Sequence, residues 1–231
     1  PKHRIDLLIH CADAGHIGDV DRFTDKYRGQ YNSIKIYTPV SKLEEHVARN
    51  KALELCLRND CEYLFTMNAE VQLENTKTLK TLIERNRTVI TPMMVRPTKM
   101  WSNFWGALSS DGYYERSDDY IDLIQNNRRG VWNVPYISSP VLIHGYRVAP
   151  LLGGYQHEEF DTDMAFASRL RQLGIFMYVD NMEYYGHLVN SNDFDTTHHH
   201  NDMYSIFDNP YTWEKKYILP EYFEALKPET E

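Results

Sequence analysis

Hydrophobic positions in the first half of the chain switch repeatedly between short apolar runs and stripes at helical spacing. Residues 5–9 read as a compact strand. Ile17, Val20, Phe23 and Tyr27 then recur every three or four positions, which predicts a helix that Gly29 stops. Residues 33–37 predict a second strand, and Leu43, Val47, Ala48, Ala52 and Leu55 mark a helix reaching about Arg58. Residues 62–67 predict a third strand, Leu79, Leu82 and Ile83 a third helix, and residues 89–92 a fourth strand. Such alternation of strand and helix is the pattern of a parallel, doubly wound sheet.

The middle of the chain changes character. Residues 101–108, 131–136 and 141–144 predict strands, with turns at Asp111-Gly112 and Arg129-Gly130. A helix follows. Asp161 or Thr162 can cap it, Met164, Ala167, Leu170 and Leu173 form its apolar stripe, and Gly174 ends it. Residues 176–179 predict another strand, and Asn209-Pro210 the start of a short helix. There is no internal repeat, and His198-His199-His200 is the only biased run.

Composition narrows the class. A length of 231 residues suits one α/β domain with elaborated loops. The 25 Lys and Arg against 33 Asp and Glu give a net charge of −8. Without a basic run, such a chain is not expected to grip a phosphate backbone, so nucleic acid is not an expected partner. Hydrophobic residues make up 42% of the chain, enough for a substantial core, yet no apolar run approaches the roughly 20 residues of a membrane span. Seventeen tyrosines suggest rings with one wet end, at sheet edges or in a cleft. Pro1 to Arg4 carry no Met and no signal peptide, and residues 227–231 resemble a linker. A domain over 1–226, cut from something longer, is the expectation. Cys56 and Cys61 flank a helix-to-strand turn, where they either pair or remain half-buried thiols. Asn86-Arg87-Thr88 is a glycosylation sequon and a weak pointer to a secretory route.

Candidate chemistry gathers first at the end of the third strand, where Asn68-Ala69-Glu70 follows. Ligands of open α/β sheets bind beyond the carboxyl ends of strands. A nucleotide-sugar transferase needs hard oxygen ligands there for a Mg²⁺ or Mn²⁺ that neutralises the diphosphate leaving group. Here one amide and one acid stand where two acids would serve better. A polar strand end that only turns the chain is the preferred account. Asp161 and Asp163 form a second acidic pair, readable as base or metal ligand but preferred as helix caps. His187 is a candidate third ligand, although a lone His after two aromatics is more often a packed ring. His198 to His200 suit a transition metal only adventitiously. No nucleophile elbow, phosphate loop or zinc-protease motif occurs. The segment from Trp101 to Ala107 is rich in rings. Trp101, Asn103 and Trp105 are its candidates for contact with a sugar or base, with core packing the commoner fate of Trp and Phe.

Several long motifs carry a resemblance. Trp101 to Ala107, Asp111 to Tyr114, Arg116 to Tyr120, Gly130 to Tyr136 and Ile206 to Pro210 resemble the procollagen lysyl hydroxylases. They match that family's central accessory domain, which lies between a glycosyltransferase domain and a hydroxylase domain, and the likeness runs from about Ile5 to Tyr222. A looser likeness reaches the procollagen galactosyltransferases. The resemblance implies a Rossmann-like glycosyltransferase fold of the GT-A kind, with a mainly parallel twisted sheet flanked by helices. It also implies that the domain is not known as a catalyst. The family often shows Asp-Ala-Asp where this chain has Asn68-Ala69-Glu70. The family also shows two cysteines around this turn, so the resemblance implies a Cys56–Cys61 bridge.

The resulting expectation is a non-catalytic structural and interaction domain of a collagen-modifying enzyme. Its partners are the other domains of the same polypeptide and, as a candidate, collagen. Its place is the endoplasmic reticulum lumen, with secretion as the alternative, and Asn86 is its glycosylation candidate. It needs no cofactor of its own. Fe²⁺, 2-oxoglutarate and ascorbate belong to a hydroxylase domain outside these residues. The alternative is an active transferase using Mn²⁺ and a UDP-sugar on hydroxylysine or its galactoside. Asn68, Glu70 and His187 would then hold the metal, and Asp161 or Asp163 would orient the acceptor.

Overall fold

Helices and strands form where the apolar stripes place them. The computed structural model describes residues 1–96, 100–110 and 113–189. In chain order its first elements are β1 (Asp6–His10), α1 (Ile17–Tyr27), β2 (Ser33–Tyr37), α2 (Glu45–Arg58), β3 (Tyr63–Thr66), β4 (Val71–Leu73), α3 (Thr78–Glu84) and β5 (Val89–Pro92). Then come β6 (Val95–Arg96), β7 (Trp101–Ser102), β8 (Phe104–Trp105), β9 (Ala107–Leu108), β10 (Tyr114–Glu115) and α4 (Tyr120–Ile124). The last are β11 (Val131–Val134), β12 (Tyr136–Ile137), β13 (Val141–His144), α5 (Thr162–Gln172), β14 (Met177–Asp180) and β15 (Gly186–Leu188). The expected turn at Asp111-Gly112, the helix at Asn209-Pro210, the histidine run and the linker at 227–231 lie outside the described residues.

The chain divides into two compact units. The first combines residues 1–64 with 144–173, and the second, among the described residues, combines 65–143 with 174–189. In the first unit β1 and β2 pair in parallel, Asp6 opposite Ser33 through His10 opposite Tyr37. Leu53, Val148, Leu151, Ala167 and Leu170 are fully buried there. Tyr155 and Phe166 stack with ring centres 4.2 Å apart. Helix α2 ends in a turn closed by the Cys56–Cys61 disulfide, with Cα atoms 4.9 Å apart. Gly145 passes so close to this turn that a Cβ would collide with the Cys61 carbonyl oxygen. Cys11 remains a buried thiol.

The second unit is built on a five-stranded sheet in the order β11-β14-β5-β13-β3. Val89, Ile90, Val141, Leu142, Ile143, Met177 and Val179 form its interior. A second sheet runs β4-β15-β6-β7. The α/β class is as expected, but the sheets are mixed rather than mainly parallel. Strand β14 lies parallel to β5, whereas β13 runs antiparallel to β5 and β11 antiparallel to β14. Strands buried on both faces are continuous apolar runs whichever way they point, so direction leaves no trace in the pattern. The stretch expected as one strand over 101–108 is three short ones. It breaks at Asn103, whose side chain serves the core, and at Gly106, where a Cβ would run into Ser117.

Candidate functional site

In the second unit, Thr66 ends β3 and a tight turn carries the chain through Asn68 and Glu70 into β4. The Asn68 amide N–H donates to Ser139 Oγ at 2.6 Å, and its carbonyl accepts from the Val71 N–H at 3.1 Å. The Glu70 carbonyl accepts from the Val189 N–H at 2.7 Å. Its carboxylate receives Arg96 Nη2 at 2.6 Å. The same guanidinium lies 5.9 Å from the centre of the Trp101 ring. Register explains the gathering: β15 pairs His187 with Gln72 on β4 and with Val95 on β6, and β6 pairs Arg96 with Trp101 on β7.

His187 lies inside a strand, β15. It is only 4% exposed, and its Nδ1 stands 2.7 Å from the Glu74 carboxylate. Burial pushes the imidazole pKa down, against the opposing pull of Glu74. A neutral ring beside a carboxylate that can only accept carries its proton on Nδ1 and donates it to Glu74. Tyr184 closes the group, its hydroxyl donating to Glu74 at 3.1 Å.

These residues do not fit a divalent cation. A hard cation takes several oxygen ligands, mostly anionic. The Glu70 charge is matched by Arg96, Asn68 offers an uncharged amide, and His187 spends Nδ1 on Glu74. Among the described residues no three His, Cys, Asp or Glu side chains are grouped so as to hold a metal ion.

Asp161 and Asp163 lie in the first unit, at the start of α5. Asp161 is its N-cap, with the carboxylate accepting from the Met164 N–H at 2.8 Å. Asp163 receives Arg49 Nη1 at 3.2 Å. Arg49 also pairs with Glu45 at 2.7 Å and lies 5.5 Å from the Tyr155 ring centre. Burial disfavours the guanidinium charge, but Asp163, Tyr155 and Glu45 outweigh it and raise its pKa. In the same unit a cavity of about 670 Å³ is lined by His46, Gln156, His157, Glu158 and Glu159.

The three ring-segment candidates separate by environment. Trp101 is 43% exposed, while Asn103 is 1% exposed. The Asn103 side chain accepts from the Met94 N–H at 2.9 Å and donates to Thr91 Oγ1 at 2.6 Å and the Pro92 carbonyl at 3.1 Å. Trp105 lies against Tyr120 with ring centres 6.2 Å apart and planes 19° from parallel. It meets Trp101 edge-on at 5.4 Å. Trp101 is therefore the most exposed of the three. Sequence reasoning missed Arg96, Glu74 and Arg49. Each is a charged residue outside any motif, and only strand register or helix packing brings it to its partner.

The comparisons with known proteins agree with this fold. The sequence model of "Glycosyltransferase family 25, N-terminal domain" matches residues 20–207. The chain belongs to that family. It is also similar to individual collagen-modifying enzymes. It is 45% identical over 231 residues to procollagen-lysine,2-oxoglutarate 5-dioxygenase 1 of Gallus gallus, covering 98% of this chain and 32% of that protein. It is 42% identical over 226 residues to procollagen-lysine,2-oxoglutarate 5-dioxygenase 2 of Homo sapiens, covering 96% of this chain and 31% of that protein. The chain thus spans about a third of the length of the curated relatives it matches.

Proposed function

We propose that this chain is a non-catalytic accessory domain of a collagen lysyl hydroxylase, retaining a GT-A-like transferase scaffold without its chemistry. It works in the endoplasmic reticulum lumen, beside the other domains of one polypeptide, and helps hold collagen. Iron, 2-oxoglutarate and ascorbate serve a separate hydroxylase domain. The carrying observation is the Glu70–Arg96 pair at 2.6 Å. A transferase would need that carboxylate for a cation beneath a sugar diphosphate; here a fixed guanidinium takes it. A scaffold can outlast its chemistry, and similarity to a procollagen-lysine dioxygenase over 98% of the chain supports the relation to the lysyl hydroxylases. Isothermal titration of the chain with Mn²⁺ and UDP-glucose or UDP-galactose tests the proposal. No heat of binding is expected for either sugar. Micromolar binding that vanishes in Glu70→Ala would establish the transferase alternative instead.

A further inference from the structure

We propose that Asn86 carries an N-linked glycan and that the ring of Phe176 is the surface on which its first sugar packs. Asn86-Arg87-Thr88 is the chain's single Asn-x-Ser/Thr triplet, and its middle residue is not proline. Asn86 follows Arg85, the C-cap of α3. Its backbone N–H donates to the Ile83 carbonyl at 3.0 Å, and its φ is +49°. A left-handed residue past a helix end explains an asparagine or a glycine there. The Asn86 side chain is exposed. Arg87 is held on a neighbouring ring, its guanidinium 4.8 Å from the centre of Tyr178.

The second observation is Phe176, 64% exposed. Strands β5 and β14 run parallel with Val89 opposite Met177. One step earlier on each chain stand Thr88 and Phe176, so a solvent-facing phenyl lies beside the triplet. The C–H face of an N-acetylhexosamine packs on such a ring and shelters it from water. The Cys56–Cys61 bridge fits the oxidising compartment in which this modification occurs.

The donor class is an oligosaccharide joined through a diphosphate to a polyprenol lipid, used by a membrane oligosaccharyltransferase. Asn86 Nδ2 forms a bond to C1 of the first N-acetylglucosamine. The bond from C1 to the diphosphate oxygen breaks, the lipid diphosphate leaves with the electron pair, and Nδ2 gives up a proton.

The inference rests on the lumenal compartment proposed above, and two arms separate the claims. In the first, the full chain is sent through the secretory pathway of insect cells behind an added signal peptide, then treated with peptide N-glycosidase. Wild type and Thr88→Ser should lose the mass of one oligosaccharide, and Asn86→Gln and Thr88→Val should show none to lose. An unshifted wild type would overturn the site. In the second arm the native protein is digested in the same way. No shift there, with a shift in the first arm, would overturn the proposal through its compartment while leaving the acceptor chemistry standing. Phe176→Ala tests the packing: the melting-temperature gain conferred by the glycan should fall by at least half. An unchanged gain would remove Phe176 from the proposal.

Discussion

Asn103 and His187 show how single buried polar groups decide local structure. The Asn103 amide ties Met94, Thr91 and Pro92 to the ring-rich segment. Asn103→Ala strips partners from a buried N–H and a buried hydroxyl. It should therefore cost about 2–4 kcal/mol, read as a drop in urea midpoint at unchanged slope. His187 makes a pH prediction. Its folded pKa lies below the ordinary imidazole value of about 6.5 because burial disfavours the cation. The unfolded chain thus binds the proton more readily, and stability present above about pH 6.5 is lost as pH falls toward the folded pKa. His187→Gln can still donate to Glu74 but cannot titrate. Its stability should fall less steeply than wild type between pH 7 and pH 5, in thermal melts across that range. Parallel slopes would remove His187 as the titrating group.

Among the elements, α5 was the most legible in the sequence. Its cap and terminal glycine agree, Gly174 taking the left-handed φ of +65° that a helix end asks of it, while of the stripe Ala167 and Leu170 are buried, joined by Ala165 and Phe166. The cap separates two roles for Asp161. Asp161→Ala should cost about 1 kcal/mol, while Asp161→Asn, a comparable cap, should cost a few tenths. Guanidinium unfolding distinguishes them, and equal losses would mean that the charge matters beyond the cap. Other elements left weaker signals. Strand β15 holds three residues, Gly186 to Leu188, too few for any period to show. Its Gly186, at φ +139°, lies where a Cβ would strike the Gln72 carbonyl oxygen. A lone glycine before a histidine does not announce that contact. Helix α4 has five residues, and its Tyr120 is buried with the hydroxyl 2.7 Å from Ser102 Oγ. That packing gives Tyr120 a structural reason to close the motif Arg116 to Tyr120.

For the whole molecule, the α/β class was readable because apolar periods are local, whereas strand order and direction depend on long connections that leave no periodic mark. The same holds for the candidate site: Glu70 and His187 could be nominated from position, but their partners Arg96 and Glu74 follow from register alone. Chain path makes a last prediction. The first unit is assembled from residues 1–64 and 144–173, and several polar ties bridge these segments. Arg49 meets Asp163 at 3.2 Å, the Tyr155 N–H donates to Asn50 Oδ1 at 3.3 Å, and the Gly145 N–H donates to the Glu62 carbonyl at 2.8 Å. A peptide of residues 1–64 alone keeps β1, α1, β2 and α2 but loses the residues that bury Arg49 and neutralise it alongside Glu45. A two-stranded sheet and two helices with that face open bury too little apolar surface to offset the entropy of ordering. The peptide should show no cooperative thermal transition by circular dichroism, whereas the full chain should melt cooperatively. A sharp transition in the peptide would mean that residues 144–173 decorate the first unit rather than complete it.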